Sequence, residues 1–238
     1  QQIGKTPIVV NDSRGFYTSR CFGTYVNEGL AMLTDGVTPA LVENGGRMAG
    51  MPVGPLAVGD EVSIELAYKV REQTKKDLGD DYKPNPGDAV IDAMMEEGRI
   101  GRKAGKGYYD YPEDGKKTLW PGLVEHFPPK PEDEQPSIDE VKKRFLFRQA
   151  VEAARCFEEG VVTDPADGDI GAIFGWGYAP FTGGPFSLMD TVGIDEFVKE
   201  CDRMAQQYGE RFNVPGILRE MADKGETWYG SKASQKAA

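Results

Sequence analysis

Over most of this chain the apolar positions recur every three or four residues, the period of helices that bury one face. Phe16, Phe22, Tyr25, Val26, Leu30 and Leu33 predict a helix over 15–33, closed by Gly36. Shorter helices are predicted over 39–48, 54–62, 64–78 and 89–97, and the polar run Arg71 to Asp77 at the end of the fourth reads as a solvated face. Thr6 to Asn11 is β-branched and predicts a short strand, but no second run of that quality follows. A lone strand is not stable by itself. It is expected to be either an extended lead-in or the last strand of a sheet lying outside this sequence.

From Pro112 to Pro136 the pattern lapses into Pro, Glu, Asp and Lys, the composition of a connection. Ser137-Ile-Asp-Glu140 then has the form of a capping box, opening a helix predicted to run to about Glu159. Helices over 165–173, 195–208 and 215–224 follow, with a Gly-rich loop from Gly175 to Pro180. The second half repeats the first. Met51 to Glu65 returns at Thr182 to Glu196 in fixed register, Gly54-Pro55 on Gly184-Pro185, Asp60 on Asp190, Val62 on Val192 and Ile64 on Ile194. Outside that block Glu28–Gly36 matches Glu152–Gly160, and Val90–Gly98 matches Ile217–Gly225. A period near 100 residues is a duplicated domain, since solenoid repeats run roughly 20 to 50.

Composition narrows the reading. With 238 residues there is room for two cores. Cys21, Cys156 and Cys201 are odd in number and far apart, so they read as reduced core residues of a cytoplasmic protein. A metal site is not expected with His126 the sole histidine, and no apolar run is long enough to span a membrane. A net charge of −11 argues against nucleic acid as a partner and makes any anionic ligand depend on locally placed cations.

The run Lys5-Thr-Pro-Ile-Val-Val-Asn-Asp, then Gly15-Phe16 and Ser19-Arg20, Asn27-Glu28, Met51-Pro-Val-Gly-Pro55, and Gly101-Arg-Lys-Ala-Gly-Lys-Gly-Tyr-Tyr109 resembles the C-terminal helical domain of the 3-hydroxyacyl-CoA dehydrogenases. In its doubled form the chain is similar to the C-terminal part of the multifunctional α-subunit of the fatty-acid β-oxidation complex. The resemblance implies an all-α fold: a first domain over 1–114, a Pro-rich linker over 115–136, a degenerate second copy over 137–232 and a tail over 233–238. It further implies that the two copies pack as an internal pseudo-dimer, to which the residues themselves add one orphan N-terminal strand. The implied activity is hydride transfer between NAD and a 3-hydroxyacyl-CoA or 3-ketoacyl-CoA. A separate Rossmann domain would hold NAD and supply the catalytic His-Glu pair, and a thiolase subunit is a further implied partner.

No strand followed by G-x-G-x-x-G occurs here, and His126 sits in the Pro-rich stretch, so it reads as a surface residue rather than the catalytic base. Ser19 stands where much of the family has Asn beside the reacting oxygen, which makes it the catalytic and substrate-binding candidate; a serine merely tolerated on a first helical turn is the plain alternative. Lys103, between Gly101 and Gly105, matches a family lysine that reaches the nicotinamide cofactor, against the alternative of a solvated loop lysine. Gly54 and Pro55 are candidates to shape the passage of the acyl group, although their return in the second copy makes a structural role more economical. The second copy carries no lysine between glycines, ending in Glu226-Thr-Trp-Tyr-Gly230. Its aromatic cluster Phe174, Trp176, Tyr178, Phe181 and Phe186 reads as core or as filling between the copies. The chain alone is therefore expected to be inert, and the competing readings are a stand-alone helical module that binds acyl-CoA or a protein, and a related dehydrogenase for another hydroxy acid.

Overall fold

The structure, a computed structural model, describes residues 4–230. The helices are α1 (Thr18–Thr34), α2 (Pro39–Met48), α3 (Pro55–Val62), α4 (Ile64–Leu78), α5 (Asp88–Glu96), α6 (Gly122–His126), α7 (Ile138–Glu158), α8 (Pro165–Trp176), α9 (Pro185–Val192), α10 (Ile194–Tyr208) and α11 (Gly216–Lys224). Among the described residues the paired strands are β1 (Tyr109–Asp110) and β2 (Thr118–Leu119), antiparallel with Tyr109 opposite Leu119. Four helices, α2, α3, α8 and α9, begin on proline, whose fixed φ suits the first turn and whose missing N–H would have had no helical acceptor. Ser137 caps α7 by accepting from the Glu140 N–H at 3.2 Å.

The chain forms two compact units. One is drawn from residues up to Tyr25, from Ala49–Pro52 and from Lys143 onward; the other from Val26–Met48 and Val53–Lys142. The division therefore does not fall at the boundary of the sequence repeats. In the first unit, the opening turns of α1, which belong to the first repeat, pack against helices of the second: Tyr25 lies 4.9 Å from Phe145 between ring centres, and the Tyr17 hydroxyl donates to the Gly168 carbonyl at 3.1 Å. Phe147 stacks on Phe197 at 4.5 Å, while Phe157, Phe186 and Trp228 meet edge to face. In the second unit Leu30, Leu33, Val42, Leu56, Ile64, Val90, Met94, Tyr108 and Leu123 are buried.

Inside each unit the same neighbours recur. Helix α2 packs on α3, α3 on α4 and α4 on α5; correspondingly α8 packs on α9, α9 on α10 and α10 on α11. The sharp corner between the third and fourth helices of each repeat has nearly the same backbone, with Ser63 at φ 90° and ψ 120° and Gly193 at φ 93° and ψ 126°. Only the second repeat meets that corner with the residue that adopts it freely.

Several expectations are corrected. Residues 6–11 form no strand, because no ladder partner lies alongside. They are held instead by Asn11, whose N–H donates to the Val161 carbonyl at 2.8 Å and whose amide donates to the Gly160 carbonyl at 2.7 Å. The first helix starts at Thr18 and not at Gly15, since Phe16 takes φ 49°, outside the right-handed helical range. The eighth helix continues through the first part of the expected Gly-rich loop to Trp176 and ends on left-handed Gly177. Tyr178 and Phe186 of the aromatic cluster are core, whereas Phe174 and Phe181 are each 75% exposed. In the Pro-rich stretch the Lys130 N–H donates to the Gly36 carbonyl at 2.8 Å, Gln135 bonds Gly36 and Thr38, and Leu123 is fully buried. All three cysteines are buried and free of disulfides. The tail over 233–238 lies outside the described residues.

Candidate functional site

Ser19 lies in the first turn of α1 with its side chain exposed. Its neighbour Arg20 holds that turn in place. The Arg20 guanidinium donates to Glu152 at 2.8 and 3.1 Å and also reaches Glu159, and Glu152 is gripped further by Arg155 at 2.8 Å and Arg148 at 3.4 Å. Burial alone would raise the Glu152 carboxyl, but Arg148, Arg155 and Arg20 together hold it below the usual range. Arg20 is thus committed to the fold, and Ser19, one residue earlier, is exposed with no hydrogen bond from its hydroxyl among the described residues. Thr18, not Ser19, lines the nearby crevice of about 410 Å3 shared with Lys5, Ile8, Ile170 and Phe174.

Gly54 and Pro55 are buried in the other unit, at the start of α3. What fixes them is internal. The Glu43 carboxylate from α2 sits on the end of α3, accepting from the Leu56 N–H at 2.9 Å and the Ala57 N–H at 3.4 Å. A negative charge at that end is favoured by the helix dipole and satisfies N–H groups that have no partner within the helix. A Cβ on Gly54 would stand 2.2 Å from the Glu43 carboxyl carbon, so only glycine admits the cap. The second repeat is built alike: Asp169 from α8 accepts from the Phe186 N–H at 2.8 Å and the Ser187 N–H at 3.0 Å, and a Cβ on Gly184 would stand 2.4 Å from it. Burial pushes both carboxyls above the usual range, and the donors offset it only in part.

A second pair of carboxylates closes each repeat. Asp60 accepts from the Tyr108 N–H at 2.8 Å, the Tyr109 N–H at 3.0 Å and the Tyr111 hydroxyl at 2.9 Å. Asp190 accepts from the Trp228 N–H at 2.9 Å and the Tyr229 N–H at 3.0 Å. The matched Asp60 and Asp190 of the sequence thus do one job, tying the end of each repeat onto its third helix.

Lys103 rides on the loop that Asp60 secures. The loop doubles back on itself, with the Gly101 N–H donating to the Lys106 carbonyl and the Gly105 N–H to the Arg102 carbonyl, both at 2.9 Å. Lys103 is exposed and lines an open cavity of about 620 Å3 with Arg102, Gly105, Tyr111, Pro112 and Lys117. Arg102 pairs with Glu61 at 3.0 Å and Lys117 lies over the Tyr109 ring at 4.6 Å. Lys103 and the Gly54-Pro55 turn therefore share one unit through α3, whereas Ser19 belongs to the other unit. His126 ends α6 partly exposed, with Nε2 3.2 Å from Glu97. Among the described residues no group of three or more His, Cys, Asp or Glu side chains is placed to hold a metal ion, and no helix is long and apolar enough to cross a membrane.

The chain is thus a duplicated helical domain whose repeats keep the same caps but differ in surface chemistry. The family model of the 3-hydroxyacyl-CoA dehydrogenase C-terminal domain matches it twice, over residues 15–111 and 141–237, and the chain belongs to that family. It is 39% identical over 223 residues to the fatty acid oxidation complex subunit alpha of Shewanella sp. (strain MR-4), covering 92% of this chain and 31% of that protein. It is 37% identical over 226 residues to the subunit of the same name from Vibrio parahaemolyticus serotype O3:K6, covering 95% and 31%. The chain therefore spans about a third of the length of these curated relatives. Its fold is shared with a 3-hydroxybutyryl-CoA dehydrogenase from Escherichia coli K12 substr. MG1655, at a TM-score of 0.68 and 18% identity over 93% of this chain and 62% of that one. The dehydrogenase part of multifunctional enzyme 1 from C. elegans superposes at 0.69 with 24% identity, over 92% and 50%.

Proposed function

We propose that this chain is the substrate-binding and assembly part of an NAD-dependent 3-hydroxyacyl-CoA dehydrogenase of fatty-acid β-oxidation, inert without a Rossmann domain. The observation that carries this reading is the double family match, in order, along nearly the whole of a chain whose relatives are α subunits of fatty acid oxidation complexes. Hydride transfer needs a dinucleotide site and a catalytic base, and the His126 ring is engaged with Glu97 and the Trp120 ring.

In this reading NAD is bound mainly by the Rossmann domain, and Lys103 reaches toward it from the loop. Ser19 offers its free hydroxyl to the oxygen of the 3-hydroxyacyl or 3-ketoacyl group, while Arg20 and Glu152 fix the turn that presents it. Gly54 and Pro55 act through α3, whose position they set. A thiolase subunit and a cytoplasmic location belong to the same reading. The test is oxidation of NADH with acetoacetyl-CoA by the chain mixed with the NAD-binding domain of a fatty acid oxidation complex α subunit. Activity confined to the mixture, lowered about tenfold or more by Ser19→Ala, is expected, since a lost hydrogen bond to a developing charge costs on that order. Full activity of Ser19→Ala would remove Ser19 from the site.

A further inference from the structure

We infer that the outward face of α4 binds the same face of a second copy of this chain, the two helices lying antiparallel about a two-fold axis that passes at Val70.

Leu66, Val70 and Leu78 of α4 are 50%, 56% and 44% exposed, and among the described residues no other helix leaves three large apolar side chains in water. With Thr74 they fall four residues apart and form one row along the helix surface. The opposite face is already used. Ile64 is buried there, and the Arg71 guanidinium reaches α5, donating to the Asp88 carbonyl at 2.9 Å and to Asp92. The two repeats act as a comparison built into one chain. The register that sets Ile64 on Ile194 sets Leu66 on Glu196 and Val70 on Glu200, and both helices run for 15 residues. In α10 these carboxylates are paired, Glu196 with Lys199 at 2.7 Å and Glu200 with Lys143 at 2.6 Å. The repeat folds with charge at these positions, so apolar side chains on α4 alone meet a demand from outside it.

The flanks of the row identify the occupant. In an antiparallel pair centred on Val70, Val70 meets its own counterpart, Leu66 meets Thr74, and Glu65 of each copy meets Lys75 of the other. A parallel pair would set Glu65 on Glu65 and Lys75 on Lys75. Within α4 Glu65 pairs with Lys69 at 2.7 Å and Lys75 with Glu72 at 2.8 Å, and exposed pairs of this kind exchange partners at little cost. Two rows of four-residue spacing interlock at a crossing of about −50°, a common way for helices to meet. A lipid surface suits the face less well, because the net charge is −11 and Asp77, Asp80 and Asp81 stand exposed at its far end. One helix face buries less than the roughly 800 Å2 per partner of a stable complex, so a dissociation constant on the order of 10–100 μM is expected. The face is separate from the opening turns of α1, which already join helices of the second repeat. The inference does not depend on the dehydrogenase reading.

The experiment is sedimentation velocity of this chain up to about 1 mM, where a dimer is expected to dominate. Leu66→Glu and Val70→Glu, which install the residues of the second repeat, are each expected to weaken the dimer about tenfold or more without lowering the melting temperature, since both positions are exposed. Glu65→Lys and Lys75→Glu should each weaken it alone, and an equimolar mixture of the two variants should recover it as a heterodimer. Val70→Cys should give a disulfide-linked dimer on treatment with diamide, whereas Leu66→Cys should not, its counterpart being Thr74; the native cysteines are buried. A dimer that survives both Leu66→Glu and Val70→Glu, or cross-linking through Leu66→Cys and not Val70→Cys, would overturn the inference. So would a monomer at about 1 mM, and co-sedimentation of that monomer with phosphatidylglycerol vesicles would assign the face to lipid instead.

Discussion

At the scale of single residues, the chain shows the same problem solved twice with different materials. Glu43 and Asp169 both cap the third helix of their repeat, and Gly54 and Gly184 exist where a Cβ would overlap them. Gly54→Ala and Gly184→Ala are each expected to cost about 1–3 kcal/mol, the range for forcing an atom into a packed site, measured by urea denaturation; an unchanged midpoint for either would contradict the close approach. The corner at Ser63 is solved less well. Its φ of 90° is strained for any residue with a Cβ, and its hydroxyl gives back only a long cap to the Leu66 N–H at 3.4 Å and a bond to the Ile100 carbonyl at 3.3 Å. Relief of roughly 1–3 kcal/mol of strain outweighs the few tenths lost when glycine replaces a serine cap. Ser63→Gly should therefore raise the melting temperature and Gly193→Ser lower it; a fall in the first variant would mean that the serine's bonds dominate. These residues were partly legible. The register of Gly54 with Gly184 and of Asp60 with Asp190 stands in the sequence, but Glu43 and Asp169 lie on the preceding helix at unequal spacing, and nothing local marks them as caps. Lys117 was equally hidden, because only the returning hairpin brings it to the loop.

At the scale of elements, helix starts were readable where chemistry is local. Pro39, Pro55 and Ile64 begin helices where the pattern places them, since proline and the turn before it act within a few residues. Features that depend on a distant partner were not readable. The stretch over 6–11 looks like a strand from its β-branched residues, yet pairing is decided by what lies beside it. The Pro-rich stretch reads as a linker, and the contacts by which Lys130 and Gln135 close it onto Gly36 and Thr38 are not marked in its composition. The attachment of α10 to α7 carries a pH dependence. Arg203, with Lys143 also bonded to Glu200, holds that carboxyl down to about 2 against an ordinary 4.5. A depressed carboxylate stabilises the fold above its unfolded value, and that contribution is lost as pH falls from about 4.5 toward 2. Glu43, Asp60, Asp169 and Asp190 have the opposite sign: raised by burial, they gain protons more readily folded than unfolded, so their titration does not drive acid unfolding. Glu200→Gln should accordingly flatten the acid limb of a melting-temperature profile below pH 4.5, and an unchanged limb would remove Glu200 from the account.

At the scale of the whole chain, the duplication was legible from register alone, and the family from the motifs of the first repeat. How the repeats share their cores was not, because the opening turns of α1 join helices of the second repeat through Tyr17, Arg20 and Tyr25, contacts separated by more than a hundred residues of sequence. That exchange gives the second repeat a reason to keep its fold while losing the cations of the first: it supplies Glu152, Glu159 and Gly168, against which the turn bearing Ser19 is set. The most direct test of the central claim is a hybrid α subunit from a relative in which this chain replaces the matching segment, assayed for NADH oxidation with acetoacetyl-CoA beside the chain alone. The account predicts turnover by the hybrid and none by the isolated chain. Turnover by the isolated chain, or a folded hybrid that binds NADH yet shows no turnover, would contradict it.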